Sequence, residues 1–265
     1  EVGGAPPPPP AAPPAGGRVR LLVRKRPLLS FETGRPHLDV VSTRTAIERA
    51  VVCHEGRLAR SGRRLRCAHH IFRADAVYDG AHSAAELYST EVAPLLAHAL
   101  GGGSATLLCF GQTGSGKTHT LNGALARLAE ALGGDGEGGP ARHVALSALE
   151  VYGEALRDLL NDRAPLAART DAAGAVHVRG ATHVRYARPT ASELARGFDA
   201  ALALRASEAT ERNPVSSRSH AVIVLAFGAP RDDGAAERAE PRPVADSAAP
   251  GGRLTLVDLA GSERN

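Results

Sequence analysis

The sequence contains no Met and no Trp, and its aromatic residues are only five Phe and four Tyr. So few rings, with no basic–aromatic interleaving, offer no surface on which bases would stack, so nucleic acid is not an expected partner. Lysine is almost absent too: of 32 basic residues only Lys25 and Lys117 are lysine, the rest being arginine. Where a chain has drifted toward arginine, a surviving lysine marks a place that needs a compact ammonium. Cysteine is scarce and odd in number (Cys53, Cys67, Cys109), which excludes a disulfide scaffold and points to a reducing compartment. Cys67 lies near His69 and His70, but no fourth ligand stands at a useful spacing, so a surface turn beside a strand is expected there rather than a metal centre. No apolar run approaches the ~18 residues of a membrane span, so no membrane partner is expected. No basic start followed by an apolar stretch opens the chain. The missing Met at position 1 suggests a fragment or a processed piece.

What is present suits a globular core. The chain has 265 residues, 43% hydrophobic and 23% charged, with a net charge of +4, which excludes wholesale disorder. Residues 1–17 are almost all Pro, Ala and Gly and read as a disordered lead-in. Residues 18–265 then form one domain. Arg18 to Val23 reads as a strand ended by Pro27, and residues 37–54 as further short strands. The stretch from Gly56 to Arg66, with five arginines, reads equally as a solvated basic loop or as contact with an acidic surface. Residues 83–100 predict a helix kinked at Pro94. Ala105 to Phe110 predicts a central strand buried on both faces. A helix follows over Leu121 to Leu132, a strand over His143 to Tyr152 and a short helix around Ala155 to Leu160. Thr190 with Glu193 is a capping box opening a helix to about Ala209. Ala221 to Phe227 and Leu254 to Val257 are the last strands, separated by a Pro/Gly/Asp/Ala-rich insert over 228–252 that reads as a mobile loop. Strands alternating with helices imply an α/β layered fold.

Three motifs carry chemistry. Gly111-Gln112-Thr113-Gly114-Ser115-Gly116-Lys117-Thr118 fits G-x-x-x-x-G-K-[ST], between an apolar strand and a helix. Its backbone N–H groups can curl round phosphate oxygens, Lys117 can reach the β- and γ-phosphates, and the Thr118 hydroxyl can sit on Mg2+. Asp258-Leu259-Ala260-Gly261 ends an apolar strand, where an acid can hold Mg2+ and a Gly N–H can meet a γ-phosphate. Asn213-Pro214-Val215-Ser216-Ser217-Arg218-Ser219-His220 is a dense polar loop. Its hydroxyls could hold Mg2+ and orient water, and Arg218 could pair with Glu263 once phosphate is bound, making a latch. The two lysines leave no place for an N/T-K-x-D guanine motif, so GTP specificity has no support.

G-Q-T-G-S-G-K-T-H-T, N-x-x-S-S-R-S-H and D-L-A-G-S-E-R, in this order, resemble a kinesin motor domain over residues 18–265. Arg24-Lys25-Arg26-Pro27, Tyr78-Asp79 and Leu149-Glu150-Val151-Tyr152 with Asp158-Leu159-Leu160 extend the likeness. The resemblance implies a P-loop NTPase with a mixed central sheet and helices on both faces. The chain stops at Asn265, just after the second switch, so the implied motor domain is C-terminally truncated and holds little of the principal track contact. The helix after the P-loop is shorter than in the family. Arg24, Arg26, Pro27 and His119 would frame the adenine of ATP, and residues 111–118 would bind its phosphates. Thr118 and Ser217, with Asp258, would hold Mg2+, and Ser216 would position the attacking water. Gly261 would sense the γ-phosphate, and Arg218 with Glu263 would close the site.

The implied partners are microtubules, in the cytoplasm and cytoskeleton. Arg24-Lys25-Arg26-Pro27, Asp39 to Ser42 and His54-Glu55 with Leu58 further resemble the internal-motor kinesins that depolymerise microtubules. That subfamily's Lys-Val-Asp tip is absent, Ala59-Arg60-Ser61 standing in its place. A non-hydrolysing, tubulin-binding scaffold of the same fold is the alternative. Direction of movement, cargo and oligomeric state are not encoded in these residues.

Overall fold

A computed structural model describes residues 19–33, 38–44, 49–58, 62, 64–134, 143–172, 174, 176–206, 218–228 and 251–263. The lead-in over 1–17, most of the 228–252 insert, and Ser216 and Ser217 lie outside the described residues. The chain divides into two compact units, Glu1–Thr90 and Glu91–Asn265.

In the first unit, β1 (Leu22–Arg24) pairs in parallel with β5 (Ala76–Tyr78). The Leu21 N–H donates to Asp75 at 2.8 Å and fixes that register. Between them lies the short helix α1 (Ser30–Thr33) and an antiparallel sheet of β2 (Val41–Arg44), β3 (Ala50–Leu58) and β4 (Leu65–Arg73). Val51 and Val52 are buried at the base of β3, whereas its far end is exposed. The ladder runs on to Leu58 opposite Leu65, so the two ends of the basic stretch are strand, with Arg57 facing Arg66. Cys67, expected in a turn, lies within β4 and is exposed. As a sheet edge, β4 carries Arg66, His69, His70 and Arg73, charges and imidazoles that discourage edge pairing.

A capping box between Ser83 and Glu86 opens α2 (Ala84–Leu87). A π-helical turn over Tyr88–Val92 leads into α3 (Ala93–Leu100), with Pro94 in its first turn. Proline has no N–H to give and its ring crowds the preceding turn. The wider π turn accommodates both effects just upstream, in place of a kink inside one continuous α-helix.

The second unit is built on one mixed sheet in the order β6 (Ser104–Cys109), β14 (Arg253–Asp258), β13 (His220–Gly228), β7 (His143–Tyr152), β8 (Ala155–Asp158) and β9 (Ala164–Pro165). β6 and β14 are parallel, and the other neighbours along this order are antiparallel. β12 (Val184–Ala187) pairs with the first half of β7, whose second half pairs with β8. A separate hairpin joins β10 (Ala167–Thr170) and β11 (Val176–Arg179).

α4 (Lys117–Leu132) buries Leu121, Ala124, Leu125, Leu128, Ala129 and Leu132, an i, i+3, i+4 stripe that packs on β6, β14 and α5. α5 (Ala191–Ala206) lies along α4 and β7, with Leu194, Phe198 and Ala201 buried. Its capping box forms as expected: the Thr190 N–H donates to Glu193 at 2.8 Å, and the Glu193 N–H donates to the Thr190 hydroxyl at 3.2 Å. Fully burying one such leucine contributes about 1.5–3 kcal/mol, so these stripes and Leu146, Ile223, Leu225, Leu254 and Leu256 of the sheet form the core.

Two expectations fail here. Residues 155–158 are strand, not helix. Tyr152 faces Ala155 across a two-residue connection whose first residue, Gly153, has φ +56. The hairpin that this turn permits overrides the helix preference of Ala, Leu and Arg. β6 is an edge strand, paired only with β14 among the described residues, and is not buried on both faces. Its outward row is Ser104, Thr106 and Leu108, so the apolar run hides an alternation, and Leu108 and Phe110 stand 60% and 75% exposed.

Candidate functional site

β6 delivers the chain to the turn 111–116. Gly116 takes φ +94 at the head of α4 and no side chain caps that helix. A left-handed residue there is accessible to glycine at no steric cost. It leaves the first N–H groups of a sixteen-residue helix pointing at the turn, with the positive end of the helix dipole behind them. The Lys117 ammonium reaches back over the turn and donates to the carbonyls of Gly111 at 2.9 Å and Gln112 at 3.0 Å.

Asp258 ends β14, in register with Cys109 of β6, and is 1% exposed. Its Oδ2 accepts from the Thr118 hydroxyl at 2.8 Å and from Arg205 Nη1 at 2.5 Å. Arg205, itself 4% exposed, also donates to the Ser219 carbonyl at 2.8 Å. Its charge offsets that of Asp258 in surroundings where a lone carboxylate would be costly. Asp258 Oδ1 is buried without a hydrogen-bond partner among the described residues. An orphaned carboxylate oxygen beside a threonine hydroxyl is the hard-oxygen set that Mg2+ takes, directly or through its waters. The residues present therefore fit a magnesium ion.

The segment after Asp258 is fastened along the turn. The Leu259 N–H donates to Cys109 O at 3.1 Å, the Ala260 N–H to His220 Nδ1 at 3.0 Å and the Ser262 N–H to Gly111 O at 3.1 Å. The Glu263 carboxylate then accepts from both the hydroxyl and the N–H of Thr113, the latter at 2.9 Å. The Thr113 hydroxyl, then its amide, with the Lys117 charge nearby, hold Glu263 below the usual carboxylate range. A Cβ on Gly261 would meet the Glu263 carboxylate where it now sits and displace it from Thr113.

The structure thus brings Gly111, Gln112, Thr113, Gly114, Ser115, Gly116, Lys117 and Thr118 together with Asp258, Gly261 and Glu263. His119 lies in the first turn of α4, exposed. Arg218 is exposed, and no ion pair joins it to Glu263 among the described residues. Arg24, Arg26 and Pro27 belong to the first unit. There Arg26 is committed to Glu32 by two bonds of 2.6 and 2.7 Å and to the Pro27 carbonyl at 3.0 Å. Arg205 was missed by the sequence reading. Its signal was available: it falls on the apolar stripe of α5 with Leu194, Phe198 and Ala201, where a charge has to have a partner.

Comparison with known proteins adds a family. The model of the kinesin motor domain matches residues 24–265. The diatom spindle kinesin-1 of Cylindrotheca fusiformis is 32% identical over 246 residues, covering 92% of this chain and 36% of that protein. Human kinesin-like protein KIFC2 is 34% identical over 263 residues, covering 94% and 27%. Rice kinesin-like protein KIN-8A is 31% identical over 265 residues, covering 94% and 31%. The chain thus spans about a third of the length of these relatives. These likenesses do not single out the internal-motor subfamily. With a phosphate-type turn, a buried aspartate beside its threonine and a matching family over nearly the whole sequence, the chain belongs to the kinesin motor domain family.

Proposed function

We infer that this chain binds and hydrolyses Mg·ATP and that microtubules stimulate the hydrolysis. The observation that carries this reading is Asp258, buried and held by Thr118 and Arg205 with one oxygen left for a metal or its water. The turn amides and the α4 N-terminus bind the phosphates, and Lys117 exchanges its two carbonyl partners for β- and γ-phosphate oxygens. Thr118, Ser217 and Asp258 would hold Mg2+, which would supply charge stabilisation of the phosphoryl group. Ser216 orients the attacking water, the Gly261 N–H meets the γ-phosphate, and Glu263 turns to Arg218 to shut out bulk water. That Arg24, Arg26, Pro27 and His119 meet the adenine rests on the motif positions they match. Catalysis here is positioning and electrostatics, since in-line phosphoryl transfer asks little covalent chemistry of the protein.

The hairpin β3–β4, with Arg57 opposite Arg66, is the surface we assign to the acidic face of tubulin, and hence to a place on microtubules in the cytoplasm. It is also the part that resembles the depolymerising internal motors; shortening of stabilised microtubules by the chain with ATP tests that finer reading.

Phosphate release from Mg·ATP, with and without microtubules, tests the whole. Release that microtubules accelerate and that Lys117→Ala abolishes is the expected result. A folded chain that pellets with microtubules but releases no phosphate is instead the tubulin-binding scaffold.

A further inference from the structure

Glu263 holds a place that its role in catalysis does not explain. Its carboxylate sits on the turn that is meant to bind phosphate, taking both the N–H and the hydroxyl of Thr113. Lys117, the residue that meets phosphate, is close enough to stabilise the charge of this carboxylate. The approach is prepared: the Leu259 and Ser262 N–H groups are tied to the Cys109 and Gly111 carbonyls and that of Ala260 to His220, and Gly261 carries no Cβ to displace the carboxylate.

We propose that Glu263 is an internal competitor for the phosphate turn, a carboxylate that must leave Thr113 before a phosphate can bind and that is thereby delivered to Arg218. The idea rests on the reading of 111–118 as a phosphate site. Its chemistry is the exchange of one oxyanion for another. The carboxylate offers two oxygens and one negative charge to donors that a polyphosphate can fill with more of both. Exchange makes occupancy of the turn and closure of the latch one event: while Thr113 holds the carboxylate, Arg218 is without it. The same contact sets the nucleotide affinity below what the turn alone would give, because each binding event includes breaking two bonds to a charged acceptor.

Equilibrium binding of ADP and of inorganic pyrophosphate to the full chain tests this. The variants are Glu263→Gln, Glu263→Asp and Lys117→Ala, with unfolding curves checking that each folds. Glu263→Gln removes the charge. Glu263→Asp keeps it but falls one methylene short of Thr113, so it separates the contact from simple repulsion through space. Both are expected to bind pyrophosphate about tenfold tighter than the unaltered chain, the scale of a charge-assisted hydrogen bond. If neither binds tighter, or only Glu263→Gln does, the competitor role is overturned while the phosphate site stands, provided that the unaltered chain binds and Lys117→Ala does not. If no form binds either ligand, the phosphate site itself fails and the competitor with it.

Discussion

Asp258 and Arg205 show how a single buried pair fixes both stability and chemistry. They are 53 residues apart in sequence and meet at 2.5 Å with almost no exposure. Removing one partner of such a pair leaves an uncompensated charge, so Arg205→Ala is expected to lower stability by about 3–5 kcal/mol in urea unfolding. The double variant Arg205→Ala, Asp258→Ala should recover part of that loss; strict additivity would contradict a direct pairing. At Lys117 the expectation is different in kind. Among the described residues the Lys117 ammonium hydrogen-bonds to two nearby carbonyls, so in Lys117→Ala ADP affinity should collapse while the unfolding free energy from urea titration stays within about 0.5 kcal/mol of the unaltered chain. The site was legible at this scale wherever chemistry is local. The run 111–118 stands out because eight consecutive residues match one pattern and fold as one turn at the head of α4. Arg205 was not legible because its partner lies on another strand, and only its misfit on an apolar stripe hints at it.

Among the elements, α5 shows a capping box read correctly from two residues. Thr190→Ala is expected to cost about 1 kcal/mol. Glu193 is held below the usual carboxylate range, first by the Thr190 amide and then by its hydroxyl. Its folded value lies below the unfolded one. The box is therefore fully present above the unfolded pKa near ~4.3 and is lost as pH falls through the lower folded value. Glu193→Gln should flatten the acid limb of the stability profile in that window by lowering stability at neutral pH, where the ionised carboxylate contributes, while leaving stability below the folded pKa nearly unchanged. Where an element depends on its partner the sequence misleads. Residues 155–158 have helix-forming side chains but a turn that folds them onto β7. The β6 run looks central because Leu107 and Leu108 are adjacent, although they point to opposite faces of a sheet edge.

For the molecule as a whole, the arginine-rich hairpin offers a separation of binding from folding. Arg57 and Arg66 face each other across β3 and β4, like charges that disfavour the pairing, and Glu55 already bonds to Arg57 at 2.6 Å. Arg66→Glu should leave stability unchanged or raise it by about 0.2–1 kcal/mol, yet weaken co-sedimentation with microtubules, the difference shrinking as salt rises. Equal binding at low salt would remove the hairpin from the contact. The two-unit division could not be read along the sequence, because no linker composition marks the boundary at Thr90, which falls inside a helical segment. The sheet of the second unit has a further consequence in time. The phosphate turn is made early in the chain, but its closing contacts come late: 150 residues separate Thr113 from Glu263. At a synthesis rate of ~5–20 residues per second, roughly 7–30 s pass between them. For that interval β6 has neither β14 to pair with nor Asp258 to meet Thr118. A ribosome carrying this chain therefore holds β6, with Leu107 and Leu108, for that interval without the strand that later pairs with it.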